Sequence, residues 1–472
     1  MDTNPGSHES DGTFDIEVPV AIVGGGACGL VAALTLADAG ITPLVLERDA
    51  LPTGSTGLSS GMIPACGTHL QRAEGVEDTV EMLVHDIQAK AKGRTDPAVV
   101  AAVAKASGPT VEWLVDDHHV ELTLVDGFLY PGFSAPRMHA PPSRQGADLM
   151  AGLLCAAEAA EIDIMVNAKV TELFAGEDGR VAGLGLERPD GRVEEIGCQA
   201  VVLACNGYGG NTDMLAEHIP DMASAEYFGH PGNQGDAVNW GRALGARTRH
   251  MGAYQGHGSV ATPHGILITW ALMMNGGIQI NTSGHRFSSE HRGYSEQAVD
   301  VLAQPGGLSW LIFDDRILQL GRDFAEFNLA EAAGAIRHGA DVDSLASTID
   351  VPAPALALTL AETHAFADGR NKDPFGRDFT TQPPLSQPLH AIKVTGALFH
   401  TQGALEIDAG ARVLGSDGSP LPNLYAGGGA ACGISGSQVW GYLSGNGLLT
   451  AVNLGRIAGQ SVARQINQGM ET

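Results

Sequence analysis

Residues 18–23 (VPVAIV) form an unbroken apolar run that stops at a glycine cluster, GGGACG. LVAALTLADAG then sets Ala and Leu at helical spacing as far as Gly40, so the pattern predicts a strand, a tight turn and a helix. A second run, TPLVLE, predicts the next strand and ends in Glu47. Between 162 and 204, IDIMVNAKVTELFA, RVAGLGLERPDG and RVEEIGCQAVVLA read as successive strands, with turns at Glu177-Asp178-Gly179 and Pro189-Asp190-Gly191. Residues 300–390 are richer in Ala-Leu helical stretches and are broken by proline-rich patches at 351–354 and 383–388, which predicts a separate domain. Near the end, NLYAGGG and then Gly445 to Gly459 again join a strand to a glycine turn and a helix. No fixed-period repeat is evident, and no apolar run reaches the roughly 18 residues that a bilayer span needs.

Composition narrows this picture. With 472 residues, 44% hydrophobic and 17% charged, the chain can bury a large core and is not a disordered polymer. At roughly 100 to 200 residues per domain it should hold two or three domains. Its 63 glycines are nearly twice the usual share of about 7% and point to close backbone approaches, hence to a bound cofactor. The 54 acidic residues against 27 basic, with no Lys/Arg stripe, weigh against nucleic acid as a partner. The six cysteines, Cys28, Cys66, Cys155, Cys198, Cys205 and Cys432, contain no C-x-x-C pair, so neither a metal site nor a disulfide framework is expected. The opening MDTNPGSHESDGTFD lacks the basic and apolar regions of a secretory signal. Residues 1–14 are therefore expected to be a disordered tail, and the protein cytoplasmic.

Gly24-x-Gly26-x-x-Gly29 lies directly between the first strand and helix, and Glu47 closes the next strand. In that context the motif is a dinucleotide-binding fingerprint. The first glycine permits the turn and the second lets backbone N–H groups approach a pyrophosphate. The third lets helix and strand pack closely, while Glu47 can accept from ribose hydroxyls. Nicotinamide and flavin enzymes share this fingerprint, so the choice between them must come from the rest of the chain.

Four further stretches, Gly54-Ser55-Thr56-Gly57-Leu58-Ser59-Ser60-Gly61, Ala200 to Ala204, Gly232-Asn233-Gln234-Gly235-Asp236 and Pro422 to Gly428, follow in order along the chain. Together they resemble the successive FAD contacts of the fumarate reductase and succinate dehydrogenase flavoprotein superfamily, which includes the 3-ketosteroid dehydrogenases. The resemblance implies an α/β fold. In it a Rossmann-like FAD-binding domain, 15–251 and 401–472, is interrupted by an α+β cap, 252–400, that carries substrate. It also implies FAD contacts from Gly24, Gly26, Gly29, Glu47, Arg48, Ser55, Thr56, Ser60, Gly61, Val170, Ala204, Asp236, Gly428 and Leu448. Covalent attachment in part of that superfamily uses a histidine near the second loop. None occurs between Thr53 and Ala65, so FAD is expected to be held non-covalently.

Fumarate reductases resemble the chain over three substrate-holding stretches: Tyr254-Gln255-Gly256-His257, Gly284-His285-Arg286-Phe287-x-x-Glu290 and Phe399-His400-Thr401-Gln402-Gly403. Their proton-donating arginine, four residues after the glutamate, is here Tyr294, and their C-terminal carboxylate clamp is here Tyr442. A guanidinium offers a permanent bidentate fork to carboxylate, whereas a phenol offers one neutral donor or, deprotonated, a base. The exchange suits a ketone. By resemblance to the 3-ketosteroid dehydrogenases, Tyr442 would hydrogen-bond the carbonyl and Tyr294 would remove the proton on the adjacent carbon. That family's oxyanion glycine, four residues beyond the carbonyl tyrosine, is replaced by Asn446, with Gly447 following.

His257, His400, Tyr130 and Trp440 complete the candidate substrate site with Asn446 and Gly447; each tyrosine or histidine has an ordinary packing role as its alternative. Arg137, His139 and Arg144 could meet a polar substrate tail or serve structure alone. The activity expected is dehydrogenation of a cyclic ketone such as a cyclohexanone derivative or a 3-ketosteroid, with an unidentified, quinone-like or other, electron acceptor. The alternative is the reverse reaction, reduction of an enone or enoate. A flavin subunit of an electron-transfer complex would need a cysteine or C-x-x-C-H cluster that the sequence lacks.

Overall fold

The first apolar run forms β1 (Ile16–Val23), buried from Val20 onward. Gly24, at φ +110°, turns the chain into α1 (Ala27–Asp38), and the second run forms β2 (Pro43–Leu46). There follow α2 (Pro97–Asp116), β3 (Asp163–Met165), β4 (Lys169–Ala175), β5 (Val181–Glu187) and β6 (Val193–Leu203). The middle of the chain gives β7 (Tyr254–Ala261), β8 (Ile278–Ile280), α3 (Tyr294–Leu302), β9 (Leu308–Asp314) and β10 (Leu389–Thr401). β11 (Arg412–Leu414), β12 (Pro420–Ala426) and α4 (Asn446–Met470) complete it. This computed structural model describes residues 14, 16–125, 129–176 and 178–470.

In the first sheet β1 lies between β2 and β6, with β3 beyond β2 and β12 beyond β6, all parallel. β11 pairs antiparallel on β12, and the β4–β5 hairpin pairs through β5 with β6. Strands buried on both faces read as continuous apolar runs, as VPVAIV and AVVLA do. α1 covers this sheet and packs on α4 almost backbone to backbone. A Cβ on Gly455 of α4 would stand 2.4 Å from the Cys28 carbonyl oxygen. Part of the glycine excess is thus spent on helix contact.

The second sheet is antiparallel except for one short parallel pairing at Glu226–Tyr227, with β10 at its centre between β7 and β9 and with β8 beyond β9. The segment 300–390 does contain the helices Ala325–Ala332, Val342–Ile349 and Ala353–Ala367, but it also supplies β9 to this sheet. The parts interlock near the proposed boundaries. Glu226–Tyr227 pairs with Ala397–Leu398 of β10, and Thr248–Arg249 with Ala404–Leu405.

Two expectations change. Phe14, assigned to the tail, packs on Phe174 of β4 with ring centroids 6.1 Å apart, because its ring covers the bare glycines of β5 and β6. Residues 1–13 of that tail, Gly127 and Phe128 beside Tyr130, and Glu177 lie outside the described residues. α2 is long and apolar enough to cross a membrane by length and composition, yet Val99, Val100, Val103, Val111 and Leu114 bury its apolar face within the protein.

Candidate active site

A cavity with about 1820 Å³ of empty space, including the part open to solvent, runs from the carboxyl ends of β1 and β2 to β7 and β10 of the second sheet. Its two ends are built differently.

At the first end α1 begins without a side-chain cap, and the space before Gly26 is nearly open: a Cβ there would meet only Thr56 Oγ1, at 3.5 Å. Thr56 Oγ1 accepts from the Ala27 N–H at 3.2 Å. Gly29 shows the packing role the fingerprint assigns to it, since a Cβ would lie 1.9 Å from the Gly24 carbonyl oxygen. A helix N-terminus facing a cavity, with Thr56 taking the N–H of Ala27, is a place for an anion. Glu47 is buried at the end of β2 and accepts from the N–H of Gly25 at 2.9 Å and of Asp49 at 3.0 Å. Each carboxylate oxygen keeps a second lone pair for a ribose hydroxyl. Arg48 and Asp236, 3.9 Å apart, line the wall, and Arg48 Nη1 also donates to the Gly232 carbonyl. Ser55, Ser60, Val170, Ala204, Gly428 and Leu448 line the same cavity. Gly61 does not: it takes φ +65° in a turn against the Gln145 backbone. These features fit a dinucleotide with its pyrophosphate at α1 and a ribose at Glu47.

Aromatic rings line the other end. Tyr294, the first residue of α3, is buried and stacks on His257 with centroids 4.5 Å apart. Around it stand Tyr442 at 6.1 Å and Tyr130 and Trp270 each at 6.3 Å. His400 lies 5.7 Å from Tyr442. Tyr442 Oη accepts the Gly447 N–H at 3.5 Å. Burial pushes the Tyr294 phenol well above its usual range, and the neighbouring Tyr442 adds to this, while hydrogen bonds from Ser444 and the Gly445 backbone oppose it. Burial likewise raises Tyr442 and Tyr130. It lowers His257 to about 3 and His400 to about 4. Phenols and imidazoles here are all neutral near pH 7. The Lys and Arg side chains lining the cavity, Lys169 and Arg48, both lie beside Asp236, at the opposite end.

Several expected residues lie elsewhere. Trp440 is outside the cavity, its ring carrying the Lys92 ammonium 4.1 Å from the centroid, because the chain turns inward only at Gly441 and Tyr442. Asn446 is fully buried behind the cavity and donates to Ser435 Oγ at 3.0 Å, while its N-terminal position in α4 leaves Gly447 and Leu448 facing the cavity. Arg292, two residues before Tyr294, is half exposed and ion-paired with Asp300. Arg137 is buried between Asp78 and Asp86, and His139 between Thr68 Oγ1 and the Arg137 carbonyl, both structural positions. Arg144 stacks on Phe324 at 4.9 Å.

The sequence reading passed over Phe228, Gln255, Thr269, Trp270 and Ser444, all of which line the cavity. Gln255 was recoverable, since strand alternation puts it on the same face as His257. Nothing local marks Phe228 or Trp270. Among the described residues no group of three His, Cys, Asp or Glu could hold a metal ion.

Known proteins share this construction. A probable fumarate reductase of Shewanella frigidimarina is 28% identical over 447 residues, 94% of this chain and 74% of its own. A 4-oxocyclohexanecarboxylate 2-dehydrogenase of Sinomonas cyclohexanicum is 25% identical, with 94% and 93% covered. The structure of a 3-ketosteroid-delta4-(5alpha)-dehydrogenase from Rhodococcus jostii superposes with a TM-score of 0.77 at 25% identity, over 98% of this chain and 99% of that one. The family model for the FAD binding domain matches residues 19–448, almost the whole of both sheets and the cavity between them. With an open helix N-terminus, an acidic strand end and a cavity reaching a second sheet, the chain belongs to that FAD binding domain family and is an FAD-dependent oxidoreductase.

Proposed function

We propose that this enzyme dehydrogenates a cyclic ketone, introducing a double bond between the carbons α and β to the carbonyl. The observation that carries the reading is the aromatic chamber, where Tyr294 and Tyr442 meet ring to edge and, among the described residues, no Lys or Arg lines the wall. A dicarboxylate there would find no lining cation to pair with, whereas a neutral carbonyl needs only a donor. FAD bound along the cavity supplies the hydride acceptor.

In this reading substrate lies where the FAD-binding part, 15–251 and 401–472, meets the cap, 252–400. The Tyr442 hydroxyl donates to the carbonyl oxygen and strengthens that bond as enolate character develops. Its own oxygen accepts the Gly447 N–H, which orients the phenol. Tyr294, as phenolate, takes the α proton; its ground state is the neutral phenol, so only the small ionised fraction is competent. The ring cage of Trp270, His257 and Tyr130 excludes water from the reacting carbons. FAD is held non-covalently, so acid precipitation should release all of it, and colour left in the protein pellet would refute that.

The deciding experiment is anaerobic mixing of the oxidised protein with cyclohexanones, 4-oxocyclohexanecarboxylate and 3-ketosteroids. Bleaching of the flavin band by a ketone, with the enone as product, is the expected result. The sequence similarity to a fumarate reductase favours a second reading, reduction of an activated alkene. Rapid reoxidation of the reduced protein by an enone or enoate, with no ketone oxidised under any acceptor, would establish it instead.

A further inference from the structure

Resting on the ketone reading, we propose that the His400 Nε2–H is the second donor to the substrate carbonyl, and that Gln402, Ser435 and Asn446 fix the proton on that nitrogen. The need for such a donor arises at Gly447. Its N–H lies against Tyr442 Oη at a long 3.5 Å and Asn446 is buried outside the cavity, so a stronger donor beside the Tyr442 hydroxyl has to come from another residue. His400 lines the chamber next to Tyr442, with ring centroids 5.7 Å apart. Its Nε2 occupies the space that a side chain at position 447 would take, since a Cβ there would stand 2.7 Å from it.

A chain of hydrogen bonds behind the ring sets the proton. Asn446 Nδ2 donates to Ser435 Oγ at 3.0 Å, leaving the serine hydroxyl to donate to Gln402 Oε1 at 2.6 Å. Gln402 is thereby left with Nε2 facing His400 Nδ1 at 2.9 Å, and an amide N–H can only donate. Nδ1 must accept, so in a neutral ring Nε2 carries the hydrogen. Rotating both amides would reverse every bond, but the distances oppose it. A contact of 2.6 Å suits O–H···O and is short for N–H···O, and 3.0 Å suits the amide donor. The Thr401 carbonyl, which would need a proton on Nδ1, is further off at 3.3 Å. Burial, which holds His400 down to about 4 with no charged side chain contributing, keeps the ring neutral, so the tautomer decides what it offers.

The paired donors would be Tyr442 Oη–H and His400 Nε2–H, with Gln402, Ser435 and Asn446 as positioning residues. Gln402→Glu tests this with little change of shape. A carboxylate there accepts from Nδ1–H, moves the proton off Nε2 and raises the histidine pKa. Turnover of the ketone should fall about 10²-fold above that pKa, mainly in kcat, as for loss of one oxyanion donor. Measured against the wild type at the same pH, the deficit should shrink as pH falls and the imidazolium regains Nε2–H. Because Tyr294 must still ionise, the variant's own rate should be flat above the histidine pKa where the wild type climbs. Gln402→Met, which removes the donor without adding charge, should lose rate without that acid recovery. Unchanged kcat and pH profile in Gln402→Glu would overturn the proposal. A readout independent of turnover is ¹⁵N NMR of histidine-labelled holoenzyme, with His400 identified by His400→Gln. The Nε2–H tautomer is expected, and Nδ1–H would overturn the proposal even with an active enzyme. If no ketone is oxidised but 4-substituted phenols, as enolate mimics, bind more weakly to Gln402→Glu, the ketone reading fails while the donor assignment stands. Equal phenol affinity in the two proteins would reject the assignment.

Discussion

The two ends of the cavity contrast in material. The fingerprint end is made largely of backbone: the turn at Gly24, the open N-terminus of α1 and the amides held by Glu47, with the Arg48 guanidinium beside Asp236 adding permanent charge. The aromatic end is made of side chains from β7, α3, β10 and the approach to α4, and every titratable group in it is driven toward its neutral form by burial. A diphosphate suits the first because N–H groups and helix ends favour anions. A neutral carbonyl suits the second because an unpaired charge there would lack both water and a partner. The contrast implies that the first end governs retention of FAD and the second governs chemistry, with little exchange of roles.

The largest expected effect tests the backbone end. Gly26→Val should abolish FAD retention, because a branched side chain would fill the open space before the start of α1. Absorbance of the purified protein checks it, and a folded variant with stoichiometric FAD would show that the anion site lies elsewhere.

Next comes the base. Tyr294→Phe should lower kcat by about 10²-fold or more while FAD and substrate still bind, as for lost general-base catalysis. The pH profile sharpens the point. Tyr294 is competent only when deprotonated and its pKa is raised above the usual tyrosine value, so rate should climb with pH through neutrality and into the alkaline range. His257 and His400, at about 3 and about 4, should add no inflection near 6.5. A flat profile from neutrality upward would count against a phenolate base. Tyr442→Phe should act less sharply on kcat alone and more evenly on kcat and KM, since its bond to the carbonyl exists in the ground state and strengthens later.

The same contrast explains what could be read from the chain. Gly24, Gly26, Gly29 and Glu47 carry their meaning in one short segment, where a strand, a turn and a helix follow each other, so the parallel sheet and its first cofactor contacts were visible in sequence. Tyr294, Tyr442, His257 and His400 lie on four separate segments. Their convergence became visible only through resemblance, by noting where related enzymes place arginine or histidine. Ser435 was invisible on either ground and Gln402 entered only as a member of a resembling stretch, because a residue that acts by orienting another leaves no spacing pattern. Trp440 misled for a related reason. It stands only two residues before Tyr442 in sequence, but a chain that turns at Gly441 presents the two to opposite sides.

Trp440 therefore supplies the smallest effect and the sharpest control. Its indole lies outside the cavity under the Lys92 ammonium, 4.1 Å from the ring centroid, so its loss removes a cation–π contact of about 0.5–1 kcal/mol at a partly exposed site. Trp440→Ala should lower Tm by a few degrees at most, by roughly the ratio of that energy to an unfolding entropy that grows with chain length. FAD content, kcat and the alkaline rise of the rate should remain those of the wild type, because neither Tyr442 nor Gly447 packs its functional atoms on the indole. Parallel thermal melts and steady-state kinetics on the same preparation check both halves of the expectation. A large fall in kcat without loss of stability would mean that the ring enters the chamber during turnover, and the division between a retaining end and a reacting end would have to be redrawn to include the strand approaching α4.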